Sequence, residues 1–274
     1  MTPANKNLIV RIASAVVLAP VLAAVIIWDR PEPMTLCVQA AVIIGLVEFY
    51  WIVLKDDPAW MRVAGVFLGA LVGATIAWPP LLPFFPWVLV GCTLAAALLH
   101  LFHFGDLASA PARTGMMVFG FIYVPLLLTP LALFKRLPDG VDWIFLSLTV
   151  TWFSDTGAYA VGRAIGKRKL YKAISPGKSV EGAIGGLCFS FLAAVLAKFW
   201  YMPQLGWLDA VLVAIPGGAL GQMGDLVESM IKRGYKVKDS GWIIPGHGGI
   251  LDRVDALIFC LPYIYIYARF VFPL

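Results

Sequence analysis

Nine stretches of about 20 mostly apolar residues recur along the chain. They lie at about 8–28, 34–54, 60–79, 84–103, 115–134, 142–163, 182–202, 207–231 and 250–272, and each is long enough to cross a bilayer core as a helix. In hydrocarbon a backbone N–H or C=O finds no water, so a chain with this pattern must satisfy its polar groups within helices. The first stretch is too long for a signal-peptide core and is read as a span. Composition agrees, with 61% hydrophobic and 14% charged residues against about 45–50% and about 25% in soluble domains. The expected fold is an all-α polytopic transmembrane helical bundle of about nine spans. Pro31, Pro33, Pro79, Pro80, Pro111, Pro138, Pro203 and Pro245 punctuate the runs. The connections are short, so one integral membrane unit is expected, with spans one to five in residues 1–140 and spans six to nine, carrying the chemistry, in 141–274.

With nine spans, one side holds only Arg30, Lys135, Arg136, Lys198 and Arg269, and the rest of the 21 Lys and Arg fall on the other. Positive loops stay in the cytoplasm, so the N-terminus and both long basic loops are expected there and the C-terminus outside. Cys37, Cys92, Cys188 and Cys260 lie in or beside apolar runs without close pairing, a pattern that gives neither a disulfide framework nor a zinc site.

Few residues in the first five spans carry chemistry. Glu48, near the cytoplasmic end of span two, reads either as an interfacial carboxylate or as part of a site. His100 and His103, at i and i+3, share a helix face and read as amphipathic boundary residues rather than metal ligands.

The character changes at Ser154. Asp155 lies inside span six, where a carboxylate is costly and faces either the bundle interior or water; a helix–helix hydrogen bond beside Gly157 and Gly162 is the alternative. The following loop holds Lys167, Arg168, Lys169, Lys172 and Lys178 and leads through Ser175, Pro176, Gly177 and Ser179 into Glu181 and a new helix. Helix N-termini with nearby lysines suit phosphate; anchoring to anionic headgroups is the competing reading. A nucleotide-binding P-loop is rejected, because Lys172 stands where its first glycine belongs and no parallel sheet is plausible.

The second concentration runs from Asp225 to Asp255. On a helix Asp225, Glu228, Ser229 and Lys232 recur at i, i+3, i+4 and i+7, and Asp252 and Asp255 repeat at i, i+3 on the first turn of span nine. Two helix ends joined by a loop of this length can converge their carboxylates. Carboxylates at a membrane face most economically hold a hard cation such as Mg²⁺, which shares oxygen ligands with substrate phosphates; a plain salt-bridge cluster is the alternative. Asp225 and Asp252 are the candidate ligands. Lys232, Arg233, Lys238 and Arg253 supply positive charge for a triphosphate, and His247 sits in a glycine-rich turn as donor or proton carrier. No nucleophilic triad is visible, and phosphoryl-group chemistry on an already anionic oxygen requires none.

From Ser229 to Asp255 the order S-M-I-K-R, then K-D, then P-G-H-G-G, then D-R-V-D resembles the phosphatidate cytidylyltransferase (CDP-diacylglycerol synthase) family throughout its long motif. The stretch I-S-P-G-K-S-V-E-G is similar to a second element of that family. The resemblance covers Ser154 to Asp255 well and the first 150 residues only as apolar spans, with Glu48 as the candidate exception. It implies Mg²⁺-dependent transfer of a cytidylyl group from CTP to phosphatidic acid, giving CDP-diacylglycerol and pyrophosphate in bacterial phospholipid synthesis. By resemblance Asp225 and Asp252 are metal ligands and Asp155 is a site carboxylate. Ser229, Lys232, Arg233, Lys238, Asp239, His247, Gly248, Gly249, Arg253 and Asp255 surround the nucleotide, while Ser175, Lys178, Ser179 and Glu181 bind substrate. The implied partners are CTP, phosphatidic acid and the bilayer of the bacterial inner membrane, with a homodimer and no nucleic acid. Two rivals remain open: a CTP-dependent transferase or kinase acting on another lipid, such as a diether phosphate or a polyprenol, and an ion-coupled transporter. Against the transporter, the charge sits at one membrane face and no inverted repeat is visible.

Overall fold

The computed structural model describes residue 16 and residues 19–103, 105–241 and 248–272. Residues 8–15, 17 and 18 of the first expected span lie outside them, and residues 19–27 are helical. Two compact units are formed: residues up to Leu133 together with Asp239–Arg253, and Phe134–Lys238 together with Val254–Leu274.

In the first unit, α1 (Pro31–Val53), α2 (Ala59–Ala77), α3 (Phe85–Phe102, preceded by a 3-10 turn over Pro79–Phe84) and α4 (Ala110–Phe121) follow in order. Proline at the first turn of α1 costs no hydrogen bond, because that N–H has no partner within the helix. After α4 the span continues through a π turn at Ile122–Leu126 and the short α5 (Pro130–Leu133). Pro125 lies within this turn, where a missing N–H breaks the α-helical ladder. Phe49, Tyr50, Met61, Met117, Phe121 and Tyr123 form the core, and the Tyr50 hydroxyl donates to the Met117 carbonyl at 2.7 Å.

A polar cluster is buried at one end of this unit. Arg113 Nη1 lies 2.5 Å from Asp57 Oδ1, and His100 Nε2 stands 3.8 Å from Asp57 Oδ2. His103 instead packs edge-on against Trp60, ring centroids 4.9 Å apart. The two histidines therefore part company: His100 is buried and His103 is exposed.

The second unit contains α6 (Gly140–Ile165), an antiparallel hairpin of β1 (Lys169–Tyr171) and β2 (Ser175–Ser179), α7 (Val180–Trp200) and α8 (Trp207–Gly234). The final helix, α9 (Leu251–Ile266), passes from one unit to the other between Arg253 and Val254. Among the described residues seven helices are long and apolar enough to cross a membrane: Pro31–Val53, Ala59–Ala77, Pro79–Phe102, Ala110–Arg136, Val180–Trp200, Trp207–Gly234 and Leu251–Val271. The expected sixth span is α6, a helix of 26 residues whose Ser147, Thr149, Thr151, Ser154, Asp155 and Thr156 dilute its apolarity. That is the composition of a helix serving a polar site, and it explains why α6 falls outside the seven. The fold is an all-α polytopic membrane protein, with the hairpin as its one described sheet.

Candidate active site

The basic loop after α6 is ordered by a carboxylate. Glu181, in the first turn of α7, accepts the backbone N–H of Lys167 at 3.0 Å and that of Arg168 at 3.2 Å. Ser179 caps the same helix, its hydroxyl oxygen accepting the Gly182 N–H at 3.1 Å, which satisfies one of the donors orphaned at a helix start. Gly182 is needed here: a Cβ would lie 2.7 Å from the Ala158 carbonyl oxygen of α6, so only glycine lets the two helices approach this closely. The hairpin that results holds Lys178 against the C-terminal half of α8, with its Nζ 2.5 Å from Asp225 Oδ2.

A cavity of about 410 Å³ opens beside this ion pair, with Asp155, Arg163, Ser175, Lys178, Ser179 and Asp225 among its walls. Gln222, also on the wall, donates to Ser154 Oγ at 3.2 Å and to the Ala183 carbonyl at 3.0 Å. Two carboxylates and two cations thus converge on one cavity from α6, β2 and α8. The Ser229 hydroxyl donates to Asp225 Oδ1 at 3.3 Å, and Asp255 on α9 lies within electrostatic range of Asp225 and Asp155.

The face expected along α8 divides into two pairs. Asp225 and Ser229 form one, with Asp225 on the cavity wall. Glu228 and Lys232 form the other at 3.0 Å, with Glu228 buried. Arg233, Lys238, Asp239 and Arg253 are exposed. His247 lies outside the described residues.

In the first unit Asp252 opens α9 under tight control. Its Oδ2 accepts the N–H of Ser240 at 2.9 Å and of Gly249 at 3.0 Å. Glu48 lies beneath, 3% exposed. Its Oε1 accepts the Ile250 N–H at 2.9 Å, and its Oε2 accepts the Leu251 N–H at 2.9 Å and the Ser240 hydroxyl at 3.1 Å. Glycine at 249 follows from this: a Cβ there would meet Glu48 Oε2 at 2.5 Å. Gly248 holds φ +82, which side-chain-bearing residues rarely adopt. Of the two sequence readings of Glu48, the interfacial one gives way to a buried structural role. Ser240 carried no sequence signal beyond its place after Lys238 and Asp239.

Among the described residues the anionic donors at either place are carboxylate oxygens, the donor type a hard divalent cation takes. Among the described residues no three or more His, Cys, Asp or Glu side chains are grouped to hold a metal by themselves. Mg²⁺ does not require such a cage, since it keeps waters and is held by one or two carboxylates plus substrate phosphates. The Asp225 carboxylate already accommodates a cation at contact distance in the Lys178 ammonium.

Fold and site together define a polytopic membrane protein with a polar cavity of carboxylates and cations under a basic hairpin. The family model of the cytidylyltransferase family matches residues 9–271, and the chain belongs to that family. It is 45% identical over 126 residues to a protein of Bacillus subtilis named phosphatidate cytidylyltransferase, covering 46% of this chain and 47% of that one. Proteins of the same name from Staphylococcus haemolyticus and Staphylococcus saprophyticus are 43% and 40% identical over 161 residues, covering 59% of this chain and 58% of each relative. The aligned part thus spans about half to three-fifths of these curated relatives.

Proposed function

We propose that this chain transfers a cytidylyl group from CTP to phosphatidic acid, giving CDP-diacylglycerol and pyrophosphate. The observation that carries the proposal is the meeting of Asp155, Asp225 and Lys178 on one cavity wall in a member of the cytidylyltransferase family. The relatives' name supports phosphatidate as the acceptor.

In the step proposed, an anionic oxygen of the lipid phosphomonoester attacks the α-phosphorus of CTP, and the bond to the β,γ-diphosphate breaks. The nucleophile is already ionised, so no side chain need remove a proton. The chain's work is positioning and neutralisation, the main sources of catalysis in phosphoryl chemistry. Lys178 and Arg163 on the cavity wall and Lys232, Arg233, Lys238 and Arg253 at the ends of α8 and α9 would receive the triphosphate and the departing pyrophosphate. On the family resemblance Asp225 and Asp252 are each proposed as Mg²⁺ ligands, and Asp155 on α6 lies with Asp225 on the cavity wall. When bound, the ion supplies charge neutralisation on the phosphate oxygens.

The distribution of Lys and Arg supports a cytoplasmic N-terminus and a site at the inner leaflet of the bacterial inner membrane; a homodimer is proposed on the family resemblance. The decisive experiment measures Mg²⁺-dependent release of pyrophosphate from CTP by the purified full chain, with phosphatidic acid, a polyprenol or no lipid. Release with phosphatidic acid is expected. Activity on the polyprenol alone, or no release with any lipid, overturns the proposal.

A further inference from the structure

Glu48 lies on the second expected span, in the part of the chain that otherwise reads only as apolar helices. Its carboxylate is buried, a costly place for a charge unless it is fully hydrogen-bonded. Every described neighbour that bonds it is a donor: the N–H groups of Ile250 and Leu251 and the hydroxyl of Ser240. Two of these are backbone amides at the start of α9, where the helix dipole further favours negative charge.

The contacts do not end at Glu48. Ser240 Oγ, which donates to Glu48, accepts the Asp252 N–H at 3.3 Å, and the Ser240 N–H donates to Asp252 Oδ2, which also takes the Gly249 N–H. With Oδ2 committed to two amides, the plane of the Asp252 carboxylate is fixed, and with it the direction of Oδ1. Ser240 therefore links a buried carboxylate on α1 to the carboxylate proposed as a Mg²⁺ ligand. A capping serine at residue 250 would suffice to start α9; a charge 202 residues away in sequence does more than start a helix.

We infer that Glu48 is a positioning residue for the transfer reaction, acting through Ser240 and the amides of Ile250 and Leu251 to orient Asp252. This rests on the cytidylyl-transfer reading above. A glutamine cannot replace it, because its NH₂ would face donors where the site needs acceptors.

The test uses full-length wild type, Glu48→Gln, Ser240→Ala and the double variant. Turnover, KM for CTP, the Mg²⁺ concentration at half-maximal rate, thermal midpoint and amide hydrogen exchange at 249–251 are measured on each. Each single variant is expected to lower kcat by about 10- to 100-fold, raise the Mg²⁺ requirement and speed exchange at those amides. The double variant should be no worse than the weaker single, because both act through one network. If Glu48→Gln does not accumulate folded protein, Ser240→Ala, which removes one hydroxyl, decides by the same readouts. Normal kcat and Mg²⁺ response with only a lowered thermal midpoint would overturn the inference, as would losses that multiply in the double variant. Wild type that transfers no cytidylyl group would sink the reading beneath it instead, while the exchange pattern still reports whether the network orders the loop.

Discussion

The Lys178 ammonium lies 2.5 Å from the Asp225 carboxylate, joining a basic hairpin to the C-terminal half of a long helix. Both side chains are 29% exposed, and both line the cavity. A pair so placed adds about 0–1 kcal/mol to stability, so under the proposed function its value would lie in what Lys178 does to a bound phosphate. Lys178→Met is expected to lower turnover about 10²- to 10³-fold while shifting the thermal midpoint little. Steady-state rates alongside a melting curve check both halves.

Asp225→Asn and Asp252→Asn are each expected to abolish measurable turnover in protein that still inserts and folds. Titrating Mg²⁺ against pyrophosphate release is the measurement. Near-normal rates at limiting Mg²⁺ in either variant would remove that residue from the ligand set.

The Arg113–Asp57 pair has the same separation as Lys178–Asp225 and should behave in the opposite way. The Asp57 side chain is fully enclosed, so Arg113→Met strands a buried charge. A loss of about 3–5 kcal/mol of stability is expected, visible as a large fall in thermal midpoint. An unchanged midpoint would mean that His100, 3.8 Å from Asp57 Oδ2, or water takes over the role of Arg113.

Gly182→Ala places a methyl 2.7 Å from the Ala158 carbonyl, a backbone atom that cannot turn aside. The helices beside the cavity must separate, at a cost of about 1–3 kcal/mol. Gly177→Ala, where a Cβ meets nothing within 4 Å, is the control and should leave the midpoint unchanged.

Local periodicity was the part of the site legible beforehand. The Asp225–Ser229 and Glu228–Lys232 pairs are i, i+4 neighbours, and helix geometry alone brings such residues together. The basic loop was equally visible, but its hairpin was not, because two strands this short are set by pairing rather than by propensity. The partition of Glu228 into the interior and Asp225 onto the cavity wall depends on what packs against α8, and the helical repeat carries no record of that.

The sequence by itself determined that this chain is a membrane-spanning helical bundle, because length and apolarity of each run are local properties that hydrocarbon enforces one segment at a time. Only the tertiary structure decided that Glu48 serves the start of α9, that Ser240 links it to Asp252, and that Lys178 reaches Asp225. Those contacts join residues distant in the chain, and a polar side chain's partner is chosen by which helices pack side by side.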